Sequence, residues 1–94
     1  MSEAPPLKSW QIKILPEPLK ILRKLPKNLL KRLQVKIDNL AKDPRPEGCK
    51  KLIGHENLYR IRVGDWRVSY SIEENELIIL ILEVAPRGGA YRDF

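Results

Sequence analysis

Apolar and polar residues alternate along Tyr59-Arg-Ile-Arg-Val63 and again along Trp66-Arg-Val-Ser-Tyr70, on either side of Gly64-Asp65. Period-two alternation around a short glycine-bearing turn predicts a β-hairpin with one buried face. With Gly64-Asp65 as its loop, Val63 pairs with Trp66 and Arg62 stands opposite Arg67. Arg60, two positions along, projects from the same face.

Upstream, Trp10-Gln-Ile-Lys-Ile-Leu15 alternates and predicts a first strand, broken by Pro16 and Pro18. Pro18 suits an early helical position, where its missing N–H costs nothing. Leu19, Ile21, Leu22 and Leu25 predict a short helix reaching Pro26, which starts a longer one. There Leu30, Leu33, Ile37 and Leu40 form one apolar stripe on a 3.6-residue period. Lys27, Lys31, Arg32 and Lys36 occupy its other faces, and the Asp43-Pro44-Arg45-Pro46-Glu47-Gly48 segment ends it. Lys50 and Lys51 fall in the loop that follows.

Leu77-Ile-Ile-Leu-Ile-Leu82 is apolar at every position, as a central strand covered on both faces requires. A three-residue Glu74-Asn75-Glu76 turn would place Ile78, Leu80, Leu82 and Val84 beside Ile72, Tyr70, Val68 and Trp66. Glu83 would then face Arg67, and strand parity would put Arg87 on the arginine face. A one-residue shift would bury Glu83 against Trp66. Together these elements predict an α+β fold: a small four-stranded, mainly antiparallel sheet with an N-terminal two-helix hairpin packed on one face. The expected strand order is 2-3-4-1. Tyr59, Tyr70, Trp10 and Trp66 are expected in the core.

Ninety-four residues allow one domain with one modest core, spanning 1–94, with the polar, proline-bearing residues 1 to 8 expected to be flexible. The hydrophobic fraction of 43% is that of a globular protein. A net charge of +6 and a pI near 9.7 fit a nucleic acid or an acidic protein as partner. Cys49 is the single cysteine, so no internal disulfide forms. One cysteine and one histidine make a poor start for a metal shell, and no metal or other cofactor is expected. The opening Met-Ser-Glu-Ala-Pro-Pro lacks the regions of a secretion signal, and no apolar run approaches the ~20 residues of a spanning helix. A cytoplasmic protein that engages no membrane is the expectation.

Like charges directly across a ladder repel. Arg60, Arg62 and Arg67 on one open face therefore point to an anionic ligand, a phosphate backbone first among candidates. The duller readings are a solvated hairpin face and neutralisation of Arg67 by Glu83.

The strand, two helices and three-strand meander resemble the RelE/ParE superfamily of bacterial toxins. The resemblance is carried by Lys50-Lys-Leu-Ile-Gly54, by Tyr59-Arg-Ile-Arg-Val-Gly-Asp-Trp-Arg-Val-Ser-Tyr70 and by the ending Val84-Ala-Pro-Arg-Gly-Gly-Ala-Tyr-Arg92. It spans the chain from about Trp10 onward. The terminal arginine followed by a tyrosine is similar to the RelE-like messenger RNA endonuclease branch.

That resemblance implies a toxin of a toxin–antitoxin system, acting as a metal-independent endoribonuclease on messenger RNA in the ribosomal A site. The 2′-hydroxyl attacks the adjacent phosphate, leaving a cyclic phosphate and a free 5′-hydroxyl. By position, Arg60 and Arg62 match basic residues, often lysines, at the scissile region. Arg67 matches the arginine that stabilises phosphorane charge, Arg87 the arginine near the leaving group, and Tyr91 the tyrosine that orients or deprotonates the 2′-hydroxyl. Lys50 and Lys51 are candidate phosphate contacts. His55, although some relatives use histidine, is expected as an exposed loop residue. A guanidinium, with a pKa above about 12, is a poor proton shuttle. The resemblance thus implies catalysis by charge stabilisation with the ribosome positioning the substrate. A cognate antitoxin, acidic or amphipathic, is the implied protein partner, with the lysine-rich helix faces as part of the contact. Two other readings stand beside this one: a ParE-like inhibitor of DNA gyrase, and a non-catalytic member that binds only antitoxin or nucleic acid.

Overall fold

The computed structural model describes residues 10–54 and 56–86. They form β1 (Gln11–Ile14), α1 (Pro16–Arg23), α2 (Lys27–Asn39), β2 (Lys50–Lys51), β3 (Leu58–Val63), β4 (Trp66–Glu73) and β5 (Ile78–Pro86). Prolines set the helix boundaries. Pro16 and Pro18 lie in the first turn of α1, and the helix ends at Arg23, short of Pro26, whose ring disfavours a helical residue before it. Pro26 itself is extended (φ −57°, ψ 151°) and starts α2.

The strand order is β1-β5-β4-β3-β2. The four expected strands occupy their expected order, but the sheet is five-stranded and mixed rather than four-stranded. Lys50 and Lys51 form the added edge strand, antiparallel to β3, rather than a loop. β1 joins the opposite edge parallel to β5, pairing Gln11 with Ile78 and Ile14 with Ile81. The amides of Gln11 and Leu15 extend that ladder to the Leu77 and Ile81 carbonyls.

Leu33 and Ile37 of α2 and Leu40 at its C-cap are fully buried, as are Val68, Tyr70, Ile79, Ile81 and Val84 of the sheet, and Leu22 of α1 completes the same core. The helices cover one face of the sheet, and the arginine face is opposite. Tyr59 is buried with Tyr70, while Trp10 and Trp66 are half-buried against the core. Among the described residues no helix is long and apolar enough to cross a membrane.

The β3–β4 register is the expected one: Val63 faces Trp66 and Arg62 faces Arg67. The β4–β5 register is not. Glu73 pairs with Ile78, so the loop holds four residues, 74 to 77, with Leu77 at φ +57°. This places Ile79 and Ile81, not Ile78 and Leu80, on the core side of β5. A bulge between Ser69 and Tyr70 then absorbs Leu82, and Val68 pairs with Val84. The extra residue resets the alternation, so Glu83 stays exposed and faces Ser69 rather than Arg67. An unbroken apolar run carries no parity signal, which is why the pattern alone favoured the unbulged pairing.

Candidate active site

Strand pairing delivers the basic side chains to one place. Lys50 of β2 pairs with Arg60 of β3, and Arg62 pairs with Arg67 of β4. By register all four lie on the same face of the sheet, opposite the buried Tyr59, Ile61 and Val68. With Gly48 and the Ile61 position they line a cavity of about 210 Å³. Lys51 is one residue out of phase, opposite Tyr59, and lines a separate depression near Ile53 and Gly54. The structure therefore gathers Arg60, Arg62, Arg67 and Lys50 and leaves Lys51 out. Arg87, Tyr91, His55 and residues 1 to 8 lie outside the described residues.

No carboxylate among the described residues pairs with these four cations. Glu83 accepts a 3.4 Å hydrogen bond from the Ser69 hydroxyl instead of meeting Arg67. The Arg67 Nε–H is buried and has no acceptor. Leaving a buried donor unsatisfied costs about 1–3 kcal/mol, more when the group is charged. An anion seated in the cavity would recover that cost.

The segment that leads into β2 is held by a polar cluster on the sheet's covered side. Arg45 Nη2 meets Glu74 Oε2 at 2.6 Å, and its Nε donates to the Tyr59 hydroxyl at 3.1 Å. The guanidinium lies 5.2 Å from the centre of the Tyr59 ring, which stacks on Tyr70 at 6.1 Å. The Tyr70 hydroxyl donates to the Pro44 carbonyl at 2.7 Å. Burial first, and the neighbouring Cys49 after it, push the Tyr70 pKa well above the usual tyrosine range. Glu74, then Tyr59, raises that of Arg45. These contacts fix the stretch from Pro44 to Cys49 and so place Gly48 and Lys50 at the cavity. The sequence offered no signal for Gly48, because its role depends on the edge pairing of β2.

Arg62 also borders two further depressions. One, of about 220 Å³, adds Lys36, Asn39, Pro46 and Glu47. The other, of about 630 Å³, runs between α2 and the hairpin tip past Asn28, Lys31, Arg32, Val35, Lys36, Val63 and Gly64.

A family model for the ParE toxin of type II toxin–antitoxin systems (parDE) matches residues 12–91. The chain belongs to the RelE/ParE toxin superfamily. Within it, the candidate toxin RelE1 of Methanocaldococcus jannaschii is 36% identical over 78 residues, covering 80% of this chain and 87% of that protein. The archaeal RelE–RelB complex from Pyrococcus horikoshii contains a chain 36% identical, with a TM-score of 0.77 over 85% of this chain and 97% of that one. The isolated E. coli RelE toxin superposes with a TM-score of 0.73, covering 82% of this chain and 83% of that one. At 23% identity it speaks to the fold alone.

Proposed function

We propose that this superfamily member is the toxin of a toxin–antitoxin pair and acts as a messenger RNA endoribonuclease in the ribosomal A site. The observation that carries this reading is the unpaired convergence of Arg60, Arg62, Arg67 and Lys50 on one cavity, with the Arg67 Nε–H buried and unsatisfied. In this reading the RNA 2′-oxygen attacks the adjacent phosphorus and the 5′-oxygen leaves. A 2′,3′-cyclic phosphate and a 5′-hydroxyl result, with no metal taking part. Arg67 stabilises the charge that builds on the non-bridging oxygens, while Arg60, Arg62 and Lys50 hold the flanking backbone. Each such charge-assisted hydrogen bond is worth about 1.5–3 kcal/mol, and one preorganised donor typically contributes 10²–10³-fold in rate. By family resemblance, Arg87 serves the leaving oxygen and Tyr91 orients or accepts the proton of the 2′-hydroxyl. In this reading the ribosome supplies the substrate alignment that four cations alone do not. The relatives solved as RelE–RelB complexes support a cognate antitoxin as the protein partner here.

The family model's own description, a ParE toxin, favours a second reading in which the chain inhibits DNA gyrase. Mapping RNA ends in a translation extract with and without ribosomes separates the two. The nuclease reading expects cuts on translating ribosomes, lost in Arg67→Ala and Arg87→Ala. Intact RNA together with double-strand DNA breaks would transfer the case to gyrase.

A further inference from the structure

The smaller of the two depressions beside Arg62 has a chemistry unlike that of the cation cavity. The two volumes, about 220 and 210 Å³, share Gly48, Ile61 and Arg62 as common walls. Four cations and no carboxylate line the cation cavity. The smaller pocket sets Glu47 against Lys36 and adds the Asn39 amide and the Pro46 ring. A carboxylate repels phosphate, so this pocket does not continue the phosphate track. It offers an acceptor, donors and an apolar wall within one small volume, which is what the edge and face of a nucleobase require.

The walls are held in place. Asn39 ends α2, and Lys36 stands three residues before it on the same side of the helix. Glu47 belongs to the stretch that the Tyr70 hydroxyl anchors at Pro44, and the Cys49 amide donates to the Pro46 carbonyl at 3.0 Å. Among the described residues the Lys36, Asn39 and Glu47 side chains have no hydrogen-bond or ion-pair partner.

The sheet edge supplies two more polar groups. Lys50 pairs with Arg60, and the Leu52 amide donates to the Leu58 carbonyl at 2.9 Å, so the even-numbered residues of β3 turn their backbone groups toward β2. Arg62 is next in that series, but β2 consists of Lys50 and Lys51 alone. Gly48, which the register would bring opposite Arg62, has φ +91° and lies off the ladder. The Arg62 N–H and C=O therefore open on a bare edge beside the pocket, with no backbone partner among the described residues.

We infer that the Lys36–Asn39–Glu47 pocket receives a nucleobase bearing an exocyclic amine, while the phosphate of the same nucleotide lies on Arg60, Arg62 and Arg67. The Glu47 carboxylate accepts from the amine, and Lys36 and the Asn39 amide donate to the neighbouring ring acceptors. Uracil would set a carbonyl oxygen against the carboxylate where cytosine sets an amine. Hypoxanthine lacks the amine that guanine carries. The inference deepens the nuclease reading and rests on it for RNA as the source of the nucleotide; a free nucleotide presents the same chemistry.

The test uses the full chain and two matched pairs of nucleoside 3′,5′-bisphosphates, cytidine with uridine and guanosine with inosine. A 2′-O-methyl oligouridylate, which has no 2′-hydroxyl to attack, is compared with the same strand carrying one cytidine. Titrations followed by amide chemical shifts should move Lys36, Asn39, Glu47 and Gly48 and favour the amine-bearing member of each pair about tenfold. Glu47→Gln, at an exposed position, should abolish that preference and turn it toward uridine, because the amide donates where the carboxylate only accepts. Equal affinity within both pairs overturns the base site. A preference that survives in Glu47→Gln overturns it too. A preference confined to the bisphosphates upholds the site with a free nucleotide as its ligand, and one shared by the oligonucleotides upholds it with RNA. Cleavage intact without base preference sinks this inference alone, and preference intact without cleavage sinks the nuclease reading alone.

Discussion

Arg62 and Arg67 face each other directly across the β3–β4 ladder, and neither has a carboxylate partner among the described residues. Opposed like charges on a sheet cost roughly 0.2–1 kcal/mol. Arg62→Thr, which keeps a good strand former, should therefore stabilise the protein by about 0.5 kcal/mol. Its melting temperature should rise by a few degrees, on the order of 2–4 °C. Added polyphosphate should raise the wild-type melting temperature more than that of the variant. A variant that melts lower than wild type would show that the pair carries no strain.

Binding of single-stranded RNA to the cavity should be strongly dependent on salt. With three to four cations engaging phosphates, a plot of log K against log salt should have a slope of about −2 to −3. Each of Arg60→Ala and Lys50→Ala should reduce that slope by about 0.7. Lys51→Ala should leave it unchanged, because Lys51 sits in the neighbouring depression. Equal effects at Lys50 and Lys51 would contradict the division made by the β2–β3 register.

Gly64 has φ +61° at the hairpin turn. A side chain there incurs the left-handed penalty of about 1–2 kcal/mol. It also meets the Arg32 guanidinium, but that is the free end of a flexible side chain and can swing aside. Gly64→Ala should thus lose about 1 kcal/mol by chemical denaturation, and Gly64→Asn less. Removing Arg32 in the same background should restore little. Full recovery in Arg32→Ala/Gly64→Ala would mean that the contact, not the backbone, sets the cost.

Tyr70 and Arg45 hold the same segment with very different leverage. Tyr70→Phe takes the donor from the Pro44 carbonyl beneath a fully buried ring and should cost about 1–3 kcal/mol. The Arg45–Glu74 pair is solvent-exposed, with the two side chains 47% and 60% accessible, so Arg45→Ala should cost under about 1 kcal/mol. The raised pKa of Tyr70 adds a pH signature. Its contribution is complete below the unfolded tyrosine value of about 10 and is lost as pH rises from there toward the folded value. Wild type should lose stability in that alkaline window more steeply than Tyr70→Phe, as read by denaturation at successive pH values.

The hairpin could be read because its apolar residues alternate and Gly64 marks the turn, so local pattern and tertiary pairing agree. The α2 stripe could be read for the same reason, with Leu33, Ile37 and Leu40 all fully buried. The order of the four principal strands followed from the wholly apolar strand wanting neighbours on both sides. β2 escaped notice because two lysines on a sheet edge bear no hydrophobic signature, and only pairing to Tyr59 and Arg60 defines them. The bulge at Leu82 escaped because every residue before it is aliphatic. Of the candidate site, Arg60, Arg62 and Arg67 came from strand parity. The separation of Lys50 from Lys51, and the freedom of Arg67 from Glu83, needed the third dimension.

β1 completes the sheet beside β5, so the first strand among the described residues must wait for the last of them before it has a ladder partner. Such end-to-end closure is entropically slow. During synthesis, at about 5–20 residues per second, the nascent polypeptide carries its basic hairpin for seconds before the outer edge can be sealed. Until β5 has emerged, β1 therefore has no ladder to join, and the growing sheet lacks its outer strand.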